Sequence, residues 1–288
     1  MNWLLAMRPR TLPAAATPVL VGCALAAGAG GFRMLPAIAA LLGALLLQVG
    51  ANFANDVFDF DKGADGPDRL GPTRAVAAGL ITPRAMRVAT AIAFVLAALV
   101  GVYLIVIGGW PILVIGLASI AAGLAYTGGP YPLGYHGLGE VFVFLFFGLV
   151  AVGGTAYVQL GGVDLRALAC AVPIGALASA IIVVNNLRDR VSDARVGKRT
   201  LAVRLGREGS LVEYRLLLLV SYAAAPCIAW MMARPLVLLP LLSLPLAIRT
   251  DLRLRATDGA ALNPLLGETA RLLAIYGLLL SAGLFLGR

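Results

Sequence analysis

Long apolar runs separated by short charged segments constrain this chain more than any single motif in it. A run of roughly 20 apolar residues, wound as a helix, spans the hydrocarbon core of a bilayer and satisfies its own backbone hydrogen bonds there. Nine such runs are readable, at about 14–31, 35–54, 88–107, 111–126, 139–160, 167–187, 213–233, 235–249 and 269–287, the fourth and eighth being short. Charged residues are 13% of the chain, about half the roughly 25% of soluble domains. A water-soluble fold is excluded. The expected fold class is an all-α membrane protein with nine transmembrane helices in one bundle, and residues 1–288 read as a single integral-membrane domain.

The net charge of +9 would suit a nucleic-acid binder, but its placement reads as topology. With nine crossings, every one of the 23 Lys and Arg except Arg33, Arg166, Arg234 and Arg288 falls on one side. By the positive-inside rule that side is cytoplasmic, which puts the N-terminus inside and the C-terminus outside. The first apolar stretch is entered through Arg8-Pro-Arg10 and broken by Pro13 and Pro18, which is not the pattern of a cleavable signal peptide. One His and three Cys (Cys23, Cys170 and Cys227, all within apolar runs) provide no zinc, haem or disulfide framework. A metal here must be held by oxygen.

The acids follow the basic residues. Of 14 Asp and Glu, all but Asp164 fall on the cytoplasmic side. Asp56, Asp59, Asp61, Asp65 and Asp68 crowd the end of the second run, and if its helix persists, Asn52, Asp56 and Asp59 share a face at i, i+4 and i+7. After the sixth run Asn185, Asp189 and Asp193 do the same at i, i+4 and i+8. The two motifs, at about 52–68 and 185–199, each open with Asn, continue with Asp and end in a basic turn, which suggests a weak internal duplication. Carboxylates repel an anionic substrate unless a dication intervenes. Two such clusters beside Lys62, Arg69, Arg74, Lys198 and Arg199 therefore point to Mg²⁺ bridging to a diphosphate. The plainer alternative is two solvated helix ends paired with neighbouring Arg.

The paired motifs resemble the UbiA superfamily of membrane prenyltransferases. Arg8-Pro-Arg-Thr-Leu-Pro13, Lys62-Gly-Ala-Asp65, Asp68-Arg-Leu-Gly-Pro72, Tyr126-Thr-Gly-Gly-Pro130, Gly137-Leu-Gly-Glu140, Asn185-Asn-Leu-Arg-Asp189 and Gly197-Lys-Arg-Thr-Leu-Ala-Val-Arg-Leu-Gly206 are similar to its 1,4-dihydroxy-2-naphthoate polyprenyltransferase branch. The resemblance spans nearly the whole chain. It implies a bundle around a central cavity, with a Mg²⁺-diphosphate site at the cytoplasmic mouth, in the plasma (inner) membrane of a bacterium. The implied reaction transfers a polyprenyl group from polyprenyl diphosphate to dihydroxynaphthoate with decarboxylation, in menaquinone biosynthesis.

Carried onto this sequence, the resemblance gives Asn55, Asp56, Asp59, Asp65, Asp189 and Asp193 as metal ligands. Asp59, Asp189, Asp193 and Lys198 are the expected catalytic set. Asn185, Arg188 and Arg199 are expected at the diphosphate, with Arg69 and Arg74 closing over it. The superfamily's further Asp, four residues after Asp59, is Gly63 here, and Asp65 is its expected replacement. Asp61 reads as a solvated charge. The loop from Tyr126 to Glu140 has no Lys or Arg and suits the aromatic acceptor, with Tyr126 and Tyr131 lining the site and His136 near it. Gln48 and Gln159 read as interhelical hydrogen-bonding groups. Other acceptors, such as 4-hydroxybenzoate or homogentisate, and a transporter are the competing readings. Acids gathered at one membrane face disfavour the transporter, which needs them near the midplane.

Overall fold

The computed structural model describes residues 2–66 and 69–287; Asp68 and Arg288 lie outside them. Among the described residues all regular structure is helical. Eight helices are long and apolar enough to cross a membrane: α1 (Asn2–Gly28), α2 (Met34–Asp61), α3 (Pro83–Gly108), α5 (Gly139–Leu160), α6 (Leu165–Arg195), α7 (Leu201–Met232), α8 (Pro235–Arg255) and α9 (Gly259–Leu286). The shorter α4 (Trp110–Ala125) lies between α3 and α5. The chain is a multi-pass membrane protein.

Several helices outrun their apolar stretch. Hydropathy marks the part bathed in hydrocarbon, whereas the backbone ladder continues until a cap ends it. Thus α2 continues to Asp61 and α6 to Arg195, carrying both acidic motifs as helix. At the starts, Thr82, Asp164 and Thr200 side chains accept the N–H groups of Ala85, Ala167 and Val203 at 3.3, 3.0 and 3.3 Å. Gly63, at φ 66°, ends α2, and Ala64 N–H returns to the Asp59 carbonyl at 2.9 Å. A side chain at that position would be strained in this left-handed conformation.

Prolines and π-turns break the regularity of three helices. In α1 a 3₁₀ turn at Pro9–Thr11 separates a short N-terminal helix from the long one. The first part of α8, Pro235–Ser243, is 3₁₀ and contains Pro240. Phe144–Val150 in α5 is π-helical where it crosses α6. There Gly148 and Gly175 meet so closely that a Cβ on Gly148 would lie 2.8 Å from the Gly175 Cα.

Helix α6 is the axis of the bundle. It is apolar all round, 78% buried through its apolar window, and packs Ile174, Leu177 and Val184 into the main core with residues of α1, α5, α7, α8 and α9. By contrast α3 is 17% buried and faces outward to lipid. Gln48 donates to Thr11 Oγ1 at 3.2 Å and Gln159 to the Arg33 carbonyl at 3.0 Å, linking helices as the sequence suggested.

The loops following α2, α4 and α6 and the start of α9 meet at one end. Lys62 donates to the Thr127 carbonyl at 2.7 Å, Arg199 N–H to the Tyr135 carbonyl at 2.8 Å, and Asn263 to the Leu70 carbonyl at 2.8 Å. From that end a cavity of about 1130 Å³ enters the bundle. Its walls come from α1–α6, the start of α9 and the intervening loops, while α7 and α8 stand behind and contribute none.

Candidate active site

The mouth of the cavity is organised around Asp59. This residue sits on the last turns of α2, 3% exposed, below the loop that returns to α3. Its Oδ2 accepts from Arg74 at 2.8 Å, and its Oδ1 accepts from the Tyr135 hydroxyl at 2.7 Å and Lys198 Nζ at 3.0 Å. Those three partners come from three separate loops. Lys198 also stands 3.9 Å from Asp193 Oδ1, so one ammonium lies between a carboxylate of each motif. Two ammonium groups stand over the Tyr135 ring, Lys198 at 4.4 Å and Lys62 at 4.9 Å from its centroid. Burial, then the Asp59 charge, pushes its phenol above the ordinary range, so it remains a donor.

Around Asp59 the other acids have distinct surroundings. Asp56 faces the loop and accepts the Ala75 and Val76 N–H groups at 3.1 and 3.0 Å. Asp65 is paired with Arg69 and lies 3.5 Å from Arg74 Nε, and its Oδ2 is buried without a hydrogen bond. Burial pushes its carboxyl up to about 6, against the pull of Arg69. Asn55 accepts from Thr127 across the mouth. Asp61 is exposed and pairs with Arg87, a solvated charge as expected.

The second motif lies along the last turns of α6. Asp189 receives both Nε, at 2.8 Å, and Nη2 of its neighbour Arg188. Arg188 is 2% exposed and also reaches Asn185 at 2.9 Å and Asn263 at 3.0 Å. One guanidinium thereby joins the second motif to α9 and, through Asn263, to the first loop.

Asn55, Asp59, Arg69, Arg74, Tyr126, Asn185, Arg188, Asp189, Asp193 and Lys198 all line the cavity. Four expected residues stand away from its surface. Asp56 is occupied with backbone, and Asp65 lies just behind the wall between Ala64 and Gly66. Tyr131 is exposed and stacks on His136 at 3.6 Å, outside the 3₁₀ turn Leu133–His136 that carries Tyr135. Arg199 contributes its backbone N–H to the Tyr135 carbonyl while the residue itself is exposed. Sequence reading missed Tyr135, Thr127, Asn263 and the side chain of Arg8, which also lines the cavity. Their contacts are 72 or more residues distant in the chain for the first three, beyond any spacing rule.

Among the described residues no three His, Cys, Asp or Glu side chains converge tightly enough to hold a metal unaided. What the site offers is an all-oxygen set from two helices with a cation already between Asp59 and Asp193. The unpartnered Asp65 Oδ2 lies close behind. That set fits Mg²⁺, which keeps waters and takes phosphate oxygens to complete its shell. A chain presenting such a mouth over an apolar cavity can hold an anionic head group and bury a long hydrocarbon tail.

Comparison with known proteins agrees. The model of the UbiA prenyltransferase family matches residues 15–285. A 1,4-dihydroxy-2-naphthoate octaprenyltransferase from Mycobacterium tuberculosis is 40% identical over 288 residues, covering 100% of this chain and 98% of that one. A solved UbiA homologue from Aeropyrum pernix superposes with a TM-score of 0.76 at 16% identity, over 97% of this chain and 98% of that one. Another, from Archaeoglobus fulgidus, bound to DMAPP and Mg²⁺, superposes with a TM-score of 0.68 at 17% identity, over 98% and 99%. At those identities the solved structures speak for the fold.

Proposed function

The chain belongs to the UbiA prenyltransferase family, and on that premise we propose that it transfers a polyprenyl group from polyprenyl diphosphate to 1,4-dihydroxy-2-naphthoate, with loss of CO₂. The product is demethylmenaquinol, for menaquinone synthesis. The observation that carries the reading is the meeting of Asp59 and Asp193, one from each motif, at Lys198 over an apolar cavity.

Asp59 and Asp193, with Asn55, Asp65 and Asp189 nearby, are the residues that would hold Mg²⁺. When bound, Mg²⁺ draws charge from the leaving diphosphate and so favours ionisation of the allylic C–O bond. Lys198, Arg74, Arg69 and Arg188 surround the same mouth and neutralise phosphate oxygens. Arg69 and Arg74 belong to the loop above α2, where they close over the head group. Phe146, Phe147, Val150, Leu104 and Ile112 line the body of the cavity and keep the tail, and the cation that ionisation creates, away from water. Tyr126, in the same wall, presents a ring to that cation. The ring carbon of the acceptor forms the new C–C bond, and departure of CO₂ returns the electron pair that a base would otherwise release by taking a proton. A strong protein base is therefore not demanded.

We also read α4 as a ninth crossing. The chain leaves the mouth at Pro83 and reaches the opposite end at Gly108, where the Tyr157 hydroxyl donates to the Gly108 carbonyl at 3.0 Å. It is back at the mouth by Thr127. Nine crossings put the basic mouth in the cytoplasm of a bacterial cell, the N-terminus with it and the C-terminus outside. Incubating the purified protein with Mg²⁺, a polyprenyl diphosphate and 1,4-dihydroxy-2-naphthoate should yield prenylated naphthoquinol and CO₂. EDTA should abolish both products and added Mg²⁺ restore them. Prenylation of 4-hydroxybenzoate or homogentisate in place of the naphthoate would reassign the acceptor.

A further inference from the structure

The cavity is deep as well as wide. Its lining extends along α2 from Asp59 to Ala40, about 28 Å at the helical rise. Along α3 it reaches Ile105, close to the Gly108 end, where Ile112 and Val158 also lie. Open apolar space of that length is unusual inside a bundle, because side chains normally interlock until no void larger than a water remains.

Glycine supplies the space. Several glycines do the reverse and let helices touch: a Cβ at Gly148 would lie 2.8 Å from the Gly175 Cα, and one at Gly22 2.7 Å from the Thr155 Cβ. At Gly101 in α3 and Gly116 in α4 the same atom would meet nothing within 4 Å, although both residues line the cavity. Gly43 in α2 and Gly154 in α5 also line it, and a Cβ there would meet only Val100 Cγ1 at 3.8 Å and Ile115 Cδ1 at 3.7 Å. Those two neighbours adjoin Gly101 and Gly116 in the chain, which pairs the glycines of α2 with α3 and of α5 with α4. The pairs stand at similar depth. Gly43 lies about 18 Å along α2 from Asn55, and Gly116 lies about 16 Å along α4 from Thr127, which bonds Asn55. A glycine weakens the interior of a helix, and at Gly101 and Gly116 no close helix contact compensates. What these positions provide is room.

The mouth fixes where that room begins. With the diphosphate at Asp59, one turn above Asn55, the tail starts near Asn55 and runs inward. Three bonds of an extended chain span about 3.8 Å, so an isoprene unit of four chain bonds spans about 5 Å. A geranyl tail therefore ends about 10 Å in, short of the glycines, whereas tails longer than farnesyl reach and pass them.

We propose that Gly101 and Gly116 set the donor chain length, by leaving the deep cavity open to prenyl tails longer than farnesyl. The inference rests on the prenyl-donor reading above and names the residues that the far part of the tail meets. A side chain at either position projects into the path of a long tail.

The test measures kcat/KM for solanesyl and for geranyl diphosphate, with Mg²⁺ and 1,4-dihydroxy-2-naphthoate, on the detergent-purified protein. The native chain should use the solanesyl donor at least as well as the geranyl donor. Gly101→Leu and Gly116→Leu should each lower the solanesyl-to-geranyl ratio by at least about tenfold, the scale on which an apolar pocket discriminates by a methylene. Gly101→Ala and Gly116→Ala should lower it less, and they carry the comparison should a Leu variant not fold, as its melting midpoint will show. Gly148→Leu, which crowds a helix contact, should lower the melting midpoint instead. A native preference for geranyl overturns the proposal, and so does an undiminished ratio in either folded Leu variant. Turnover of neither donor by the native chain, with the naphthoate or with another aromatic acceptor, sinks the prenyl-donor reading beneath it.

Discussion

In the first acidic motif the carboxylates have different hydrogen-bond partners, though Arg74, bonded to Asp59, also lies 3.5 Å from Asp65. Asp56 holds the N–H groups of Ala75 and Val76, Asp59 gathers Arg74, Tyr135 and Lys198, and Asp65 lies with Arg69 behind the wall. In the second, one continuous helix presents Asp189 already paired with its neighbour Arg188, and Asp193 facing Lys198. The first motif is assembled from a helix end and three loops, so its geometry depends on tertiary contacts. The second is preformed on α6, the most buried helix. Similar strings of Asn and Asp thus do different physical work, one as an adjustable clamp and the other as a fixed wall.

That contrast can be broken most severely at Asp59. Asp59→Asn should lower kcat by about a thousandfold, the scale of removing a preorganised electrostatic group, with the protein still folded in detergent. Ordinary turnover in this variant would mean that the clamp is not built on Asp59. Asp56→Ala tests whether the neighbouring acid is structural. Two buried N–H groups would lose their acceptor, at about 1–3 kcal/mol each, so the melting midpoint should fall clearly and activity should fall with the loop's order. An unchanged melt accompanied by lost Mg²⁺ dependence would return Asp56 to the ligands.

Tyr135→Phe removes one hydrogen bond to Asp59 and leaves the ring. About 1 kcal/mol is expected, seen as a roughly fivefold rise in KM for the diphosphate. Asp61→Asn should be the smallest change. Its pair with Arg87 is solvent-exposed, at 36% and 53%, and exposed pairs contribute about 0–1 kcal/mol, so neither kcat nor melting midpoint should move measurably.

Much of this was legible in the sequence, for identifiable reasons. Apolar runs gave the helices, and i, i+4, i+7 spacing gave a shared face for Asn52, Asp56 and Asp59, because both follow from local periodicity. Helix ends were less legible, since α2 and α6 continue through polar residues until a turn such as Gly63 stops them. The division of labour between Asp56 and Asp59 could not be read, because spacing reports the face and not what lies opposite it. Tyr135 and Asn263 act on residues 76 and 75 positions away, and no local pattern marks them. Tyr131, four residues before Tyr135, had the same local credentials, but Tyr135 lies within the 3₁₀ turn Leu133–His136 and Tyr131 lies before it.

The central claim is that the two motifs together bind a prenyl diphosphate through Mg²⁺. Titration calorimetry of farnesyl diphosphate into the purified protein, with Mg²⁺ and with EDTA, tests it most directly when run on the native chain and on Asp59→Asn and Asp193→Asn. Saturable binding by the native chain is expected only with Mg²⁺, weakened at least about tenfold in each variant, the scale of one lost charge-assisted contact. Equal affinity in EDTA, or undiminished affinity in both variants, would contradict it.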